Sequence, residues 1–321
     1  ESNNYITTAT LTITDDDALS FTASDIATNA SFVTNVGAAD IDGDGDIDLV
    51  AALNIGDNGN KYVLYKNDGA ANPSWTASDL ATGENGAFGL HFADLDNDGD
   101  IDVVTASVRD DTIKWYENDG AANPSFTGNS ITTNADGVYE VYVSDMDNDG
   151  DLDIVSASSN DHKIAWYENN GLTNPTFSAS TIATTAQGAT DVSLADMDND
   201  GDIDIVSSSF QDDTIAWYEN DGAADPTWTA ADIATSADGA SSIFLADMDS
   251  DGDIDILSAS QSDDTIAWYE NDGAANPTWA ASDITTSADG ADEVFAADID
   301  GDGDLDILSA SQSDDTIAWY E

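Results

Sequence analysis

DMDNDGDLD, residues 145–153, carries five aspartates in nine positions. Like charges this close repel: at ~4 Å a pair costs on the order of 4 kcal/mol at a surface-like dielectric of about 20. Such a stretch keeps one conformation only if something draws its carboxylates together, and the chain writes it six times. The copies begin at Asp40, Asp94, Asp145, Asp196, Asp247 and Asp298, spaced by 54 residues once and by 51 thereafter. The three extra residues of the first interval lie in NIGDNGNKYVLY, where later copies have a shorter connection such as SVRDDTIKWY. A repeat of this length sets the architecture before any single residue does.

Outward from the loop, every copy reads alike. A short apolar stretch (GLHFAD, EVYVSD, SIFLAD) leads into it, and a nearly continuous apolar run (IDVVTAS, LDIVSAS, IDILSAS) leaves it, as a strand buried on both faces does. A polar turn (VRDD, QSDD) precedes TIKWYEN or TIAWYEN. After DGAANP, rich in turn formers, comes an alternating segment such as SWTASDLAT. Four short strands per unit, without a 3.6-residue period, make each unit one blade of a β-propeller. The expected fold is all-β: a six-bladed propeller of four-stranded blades over residues 16–321, preceded by an N-terminal strand or linker at 1–15.

The last unit stops at AWYE, ending in Glu321, with three strands. The missing fourth is expected in SFTASDIAT, residues 20–28, where Phe21 stands in phase with Trp75, Phe126, Phe177, Trp228 and Trp279. This N-terminal strand is expected to complete the last blade and close the ring, which removes exposed sheet edges. Trp115, Trp166, Trp217, Trp268 and Trp319, with Leu64 in the first unit, recur at one position of the third strand. Packing between blades explains them better than ligand stacking.

The loop pattern is Asp-apolar-Asp-x-Asp-Gly-Asp-apolar-Asp. Side chains at positions 1, 3 and 5 converge when the backbone wraps around a point, and Gly at position 6 permits the sharp turn. The carbonyl at 7 and the carboxylate at 9 complete an oxygen cage, with the side chain at 7 pointing away. The candidate metal residues are Asp40, Asp42, Asp44, Asp46 and Asp48; Asp94, Asp96, Asp98, Asp100 and Asp102; Asp145, Asp147, Asp149, Asp151 and Asp153. The second half of the ring repeats them as Asp196, Asp198, Asp200, Asp202 and Asp204; Asp247, Asp249, Asp251, Asp253 and Asp255; Asp298, Asp300, Asp302, Asp304 and Asp306. All-oxygen donors select Ca²⁺ over zinc or copper, and Mg²⁺ prefers smaller octahedral sites that keep water. Six Ca²⁺, one per blade, are expected. An EF-hand requires a Glu at position 12, and Ala51, Thr105, Ser156, Ser207, Ser258 and Ser309 stand there.

ADLDNDGDIDVVTAS followed by WYENDG resembles the FG-GAP-like (VCBS-type) repeat of secreted and cell-surface propellers, related to the integrin α-subunit propeller. The resemblance spans residues ~16 to 321. It implies calcium in the loop joining the first and second strands of each blade. The Phe-Gly and Gly-Ala-Pro signatures are absent and six blades replace the integrin seven, so integrin-like ligand recognition is not carried over. TATLTITDDD, residues 8–17, resembles the closing strand of a Calx-β-type sandwich, read either as the tail of a preceding domain or as a strand pairing with another subunit.

With five Lys and Arg against 66 Asp and Glu, for a formal charge of −61, the chain has no basic cluster for nucleic acid or an anionic bilayer. No apolar run approaches the ~20 residues that cross a membrane. Localisation is expected to be extracellular, secreted or cell-surface, as part of a longer chain; the absence of cysteine fits a secreted protein without disulfides.

The end of the ring opposite the acidic loops is where the copies differ. Phe88, Tyr139, Glu140, Asp191 and Glu293 fall at strand starts, and Arg109, His162, Phe210 and Gln211 in turns. Phe88, Arg109, Tyr139, Glu140, His162 and Phe210 are the candidate ligand-binding residues. With two histidines and no nucleophile–base arrangement, a binding or adhesion module is the expected function. Its partner would be a glycan, a protein or other copies of the chain. The alternative is a polysaccharide hydrolase or lyase that works with carboxylates.

Overall fold

The computed structural model describes residues 24–54 and 59–321, and the described residues carry only strands, turns and loops. Six antiparallel sheets succeed one another along the chain, each a meander of neighbouring strands. The first five sheets have four strands and the sixth has three. The first strands of the blades are Val33–Ala39, Ala87–Ala93, Val138–Ser144, Ala189–Ala195, Ala240–Ala246 and Ala291–Ala297. They stand side by side around a central channel, so that residues of all six blades line one cavity. This is a six-bladed β-propeller.

The second strands of blades 2 to 5, such as Asp102–Ser107 and Asp153–Ser158, are buried at every residue. Sheets cover both their faces, which is why the sequence runs apolar without alternation. The outer strands, such as Phe177–Ala183, are half-buried at their ends and exposed along their middle residues. Between blades 2 and 3, Trp115 packs with Val141, Ile154 and Tyr167 in one apolar cluster. Trp166 and Trp217 repeat this between the next pairs, and Leu64 does so between blades 1 and 2. Trp115, Trp166 and Trp217 are therefore core residues, and Trp268 packs half-buried against the next cluster.

The first strand of each blade carries a register shift against the second, near its channel-mouth end. The shift leaves Thr34, Tyr139, Thr190, Ser241 and Asp292 out of the ladder, and both Phe88 and Gly89 in blade 2. A bulge of this kind frees a side chain from the face alternation and re-aims it. Three of these residues tie their blade to the next: Thr34 donates to the Ala87 carbonyl at 2.8 Å, Thr190 to Ala240 at 3.0 Å and Ser241 to Ala291 at 3.0 Å. Phe88, Tyr139 and Asp292 have no hydroxyl placed to do this.

The seam between blades 6 and 1 is built differently among the described residues. Trp319 is 49% exposed and Ile317 82%, where Trp115 and Ile113 of blade 2 are 1% and 0%. Across the seam Val33, Val36 and Ile47 of blade 1 are also exposed, although their counterparts Val138 and Val141 are buried. Residues 24–28 of the expected closing strand form no strand, while Ala27 and Ala30 pack on the Tyr65 face of blade 1. Residues 20–23 of that strand, and the whole of 1–15 and of the strand at 8–17, lie outside the described residues.

Trp166→Ala is expected to destabilise the fold by about 3–5 kcal/mol, as large buried aromatics do, and Trp319→Ala by less than half as much. Equilibrium urea unfolding of the two variants checks the difference.

Candidate metal loops and channel mouth

Each acidic loop joins the first strand of its blade to the second, and its ninth residue opens that second strand. In blade 2 the backbone N–H groups of Asp98 and Gly99 donate to the two oxygens of Asp94, at 3.0 and 2.9 Å. Asp100 N–H donates to Asp98 at 3.0 Å. Asp102, fully buried, accepts from Leu95 N–H at 3.1 Å and from Asn118 N–H at 2.8 Å. Blades 3, 4 and 5 repeat these bonds. Gly99 sits at φ 99° and its equivalents at 92–103°, a region that only glycine occupies without strain. Position 4 is left-handed at φ 59° for Asn97, an angle Asn tolerates.

The wrapping brings carboxylate oxygens together. Asp94, Asp96 and Asp102 each offer one within 4.8 Å of the others, as do Asp40, Asp42 and Asp48, and Asp145, Asp147 and Asp153. In blades 4 and 5 the converging sets are Asp196, Asp198 and Asp200, and Asp247, Asp249 and Asp251. Burial pushes Asp102, Asp153 and Asp204 up to about 7, with backbone donors offsetting part of the shift. The indole N–H groups of Trp115, Trp166 and Trp217 face these carboxylates without closing a hydrogen bond. Converging hard oxygens, with no sulfur or imidazole among them, fit a Ca²⁺ ion; its charge would offset both the repulsion and the burial.

The seventh aspartates point out of their loops. Asp151 accepts from Asn97 of the preceding loop at 3.2 Å, Asp202 from Asn148 and Asp253 from Asn199 at 2.7 Å each. Each also fills the space beside a turn glycine: a Cβ on Gly171 would fall within 1.8 Å of Asp151. These side chains brace one loop against the next.

A second brace was not anticipated from the sequence. The buried Asn118 donates its side-chain amide to the Ile41 carbonyl of the preceding blade's loop at 2.8 Å and to Ile101 of its own at 3.0 Å. Asn169, Asn220 and Asn271 repeat the bridge. The signal was there, since Asn closes every WYEN segment. Asn67, beside the open seam, bonds only its own loop, at Ile47. The first loop differs again in that Lys66, where later blades carry Glu, pairs with Asp42.

At the opposite end, one cavity of about 500 Å³ is lined by Phe88, Tyr139, Phe210, Gln211, Gln261 and Asp292 among others. Phe88 and Tyr139 meet edge to face at 4.9 Å. One residue deeper, Glu140, Asp191 and Glu293 project into the channel, where Gly89 leaves room: a Cβ there would lie 2.9 Å from Glu140. Asp191 accepts from Ile243 N–H at 2.9 Å and Glu293 from Ser242 Oγ at 2.8 Å. Burial first, and then neighbouring carboxylates, raise all three, Asp191 to about 7.

Of the six candidate ligand residues, the structure brings Phe88, Tyr139 and Phe210 to this mouth and Glu140 beneath it. Arg109 and His162 are not among its lining residues. His162 Nδ1 accepts from Gly188 N–H at 3.1 Å, the bond that Asp111, Asp213 and Asp264 make in other blades. His162 is thus a turn residue. Asn160, Gln211 and Gln261 take its place at the mouth.

The FG-GAP-like repeat profile matches residues 40–105, 94–156, 145–207, 196–258 and 247–309. Among curated proteins none matches. Solved structures share the fold at low identity. A protein from Lactobacillus plantarum superimposes with TM-score 0.63 and 15% identity, over 90% of this chain and 80% of its own. The periplasmic gluconolactonase PpgL of Pseudomonas aeruginosa gives 0.56 and 14%, over 85% and 77%. The V. cholerae biofilm matrix protein Bap1 gives 0.51 and 17%, over 83% of this chain and 42% of Bap1.

Asp191 ionises in the folded state near 7, against about 3.9 when unfolded. The folded protein therefore holds the extra proton between these values, and stability falls as pH rises from about 4 through 7. In saturating calcium, thermal melts from pH 5 to 8 should show this decline, and Asp191→Asn should lessen it, Glu140 and Glu293 supplying the remainder.

Proposed function

The chain belongs to the FG-GAP-like repeat family, and on that footing we propose that it is a calcium-braced binding module of an extracellular protein. The reading rests on one observation above others, the division of labour between the two ends of the ring. At one end the blades repeat the same loop, residue for residue in its aspartates. At the other end, aromatic, amide and acidic side chains differ blade by blade around a single cavity. Repetition serves a structural ion needed by every blade, whereas a ligand site in a pseudo-symmetric ring is made where symmetry breaks. A glycan, a protein or another copy of the chain is the class of partner this mouth would hold. Extracellular calcium suits such loops, because modules of that compartment bind it at ~10⁻⁴ to 10⁻³ M.

An enzymatic reading has one observation in its favour. Glu140, Asp191 and Glu293 gather in the channel with raised proton affinities, as acid–base groups often do. Gluconolactonases share the fold, but at this identity that likeness carries no chemistry to this chain. The binding reading is preferred, since the carboxylates are engaged by Ile243 and Ser242. Binding on glycan arrays and to surface proteins, with Phe88→Ala/Tyr139→Ala as the control, decides between the two. Loss of retention in the control with an unchanged melting temperature supports the module. Turnover of a polysaccharide that disappears in Glu140→Gln would replace it with the hydrolase or lyase.

Calcium at tenfold excess over its Kd contributes about 1.4 kcal/mol per site, or roughly 8 for six sites. Excess chelator is accordingly expected to lower the melting temperature by well over ~10 °C. An unchanged melt counts against structural calcium.

A further inference from the structure

We propose that the channel mouth recognises an amino sugar with a free ammonium group, its ring held against the Phe88, Tyr139 and Phe210 side and its nitrogen directed to Glu140, Asp191 and Glu293. This inference rests on the binding reading above and adds the chemistry of the ligand.

The cavity of about 500 Å³ divides into three kinds of surface. Its aromatic side comes from blades 2, 3 and 4. Phe88 and Tyr139 are bulge residues at the positions where blades 1, 4 and 5 carry hydroxyls that tie blade to blade. The ring thus gives up two of its blade-to-blade ties and gains an aromatic pair at 4.9 Å in their place. Phe210 adds a third ring from a hairpin turn, where the other turns have Val108, Ser159, Gln261 and Gln312.

The rim is polar and uncharged except at Asp292. Asn160, Gln211, Gln261, Ser159 and Ser241 present amides and hydroxyls, which suit a ligand with many hydroxyl groups of its own. Gln261 and Gln312 both donate to Asp292, at 3.2 and 3.4 Å, holding that carboxylate at the edge.

The floor is built of carboxylates that burial holds towards their protonated form, and a cation seated among them favours ionisation. Glu140, Asp191 and Glu293 occupy the same register position of blades 3, 4 and 6, where blades 1, 2 and 5 have Asn35, Gly89 and Ser242. No Lys or Arg is among the lining residues of the mouth or of this layer, and His91, which lines the channel with the same three carboxylates, is held neutral by burial that lowers it to about 4. A uronate, sulfate or phosphate would meet carboxyl groups and no cationic side chain. A cation gains from the carboxylates and from the faces of the rings beside them. Hydroxyl-matching rim, aromatic side and carboxylate floor converge on one ligand class, a sugar bearing an unacetylated amine.

The test uses the calcium-loaded chain and two probes of equal length, the trisaccharide of β-1,4-linked glucosamine and its fully N-acetylated counterpart, titrated calorimetrically at pH 6.5. The expected result is binding of the amine form at least about tenfold tighter than the acetylated form. Glu140→Gln/Glu293→Gln should remove most of that preference, and Phe88→Ala should weaken both probes. Melting curves establish that the variants are folded. Equal binding of the two probes, with Phe88→Ala weakening both, overturns the ammonium inference and leaves the glycan-binding reading standing. Binding of neither probe, while a lysine-rich peptide binds in a Phe88-dependent way, overturns the amino sugar in favour of a protein partner. Binding unaffected by Phe88→Ala overturns the mouth as the site, and with it both readings.

Discussion

Carboxylates gathered at one end of every blade are the constraint around which this molecule is organised. Side chains of one sign converge to within 4.8 Å, some of them buried, and that arrangement costs free energy unless the charges are compensated. The backbone supplies part of the compensation through N–H groups aimed at the first and ninth aspartates. The rest falls to the cation proposed for each loop. Once the loops are held, their outward groups become structural. Asn97, Asn148 and Asn199 reach the seventh aspartate of the next loop, and Asn118 and its equivalents reach back to the one before. Under the proposal of a cation in each loop, ion binding and blade-to-blade contact would be coupled at this end of the ring.

The other end shows what such bracing permits. With the apolar clusters and the loops joining neighbouring blades, individual positions at the mouth are released from the repeat. The bulge in each first strand is the device, since a residue outside the ladder has no assigned face. Where it is Thr or Ser it adds a tie between blades, and where it is Phe88, Tyr139 or Asp292 it lines the mouth. Raised proton affinities in the layer below reflect burial and mutual repulsion, and they mark the strain carried there.

The seam between the last blade and the first is where the pattern of packing lapses. Ile317, Trp319, Val33 and Val36 are exposed here, whereas Ile113, Trp115, Val138 and Val141 at the same positions between blades 2 and 3 are buried. Asn67 correspondingly lacks the second half of the bridge its equivalents make. Only the second, third and fourth loops have Asn at the fourth position, with Gly43, Ser250 and Gly301 in the others, so the links from that position join the loops of blades 2 to 5 and reach neither the first blade nor the last.

Most of the fold was legible in the sequence, because a repeated unit reports its own strands six times over. The period, the doubly buried second strand and the recurring indole each follow from local pattern, and burial of Trp115, Trp166 and Trp217 agrees. The acidic loops were legible for the same reason, as spacing alone makes their carboxylates converge. The mouth was only partly so. Phe88, Tyr139, Phe210 and Glu140 stood out as departures from the repeat, but so did Arg109 and His162, which the fold leaves off the cavity's lining. Departure from a pattern marks a position without saying which way its side chain points. That direction depends on the bulge, the curvature of the ring and the neighbouring blades, interactions between residues about 50 apart that only the packing of one sheet beside the next brings together.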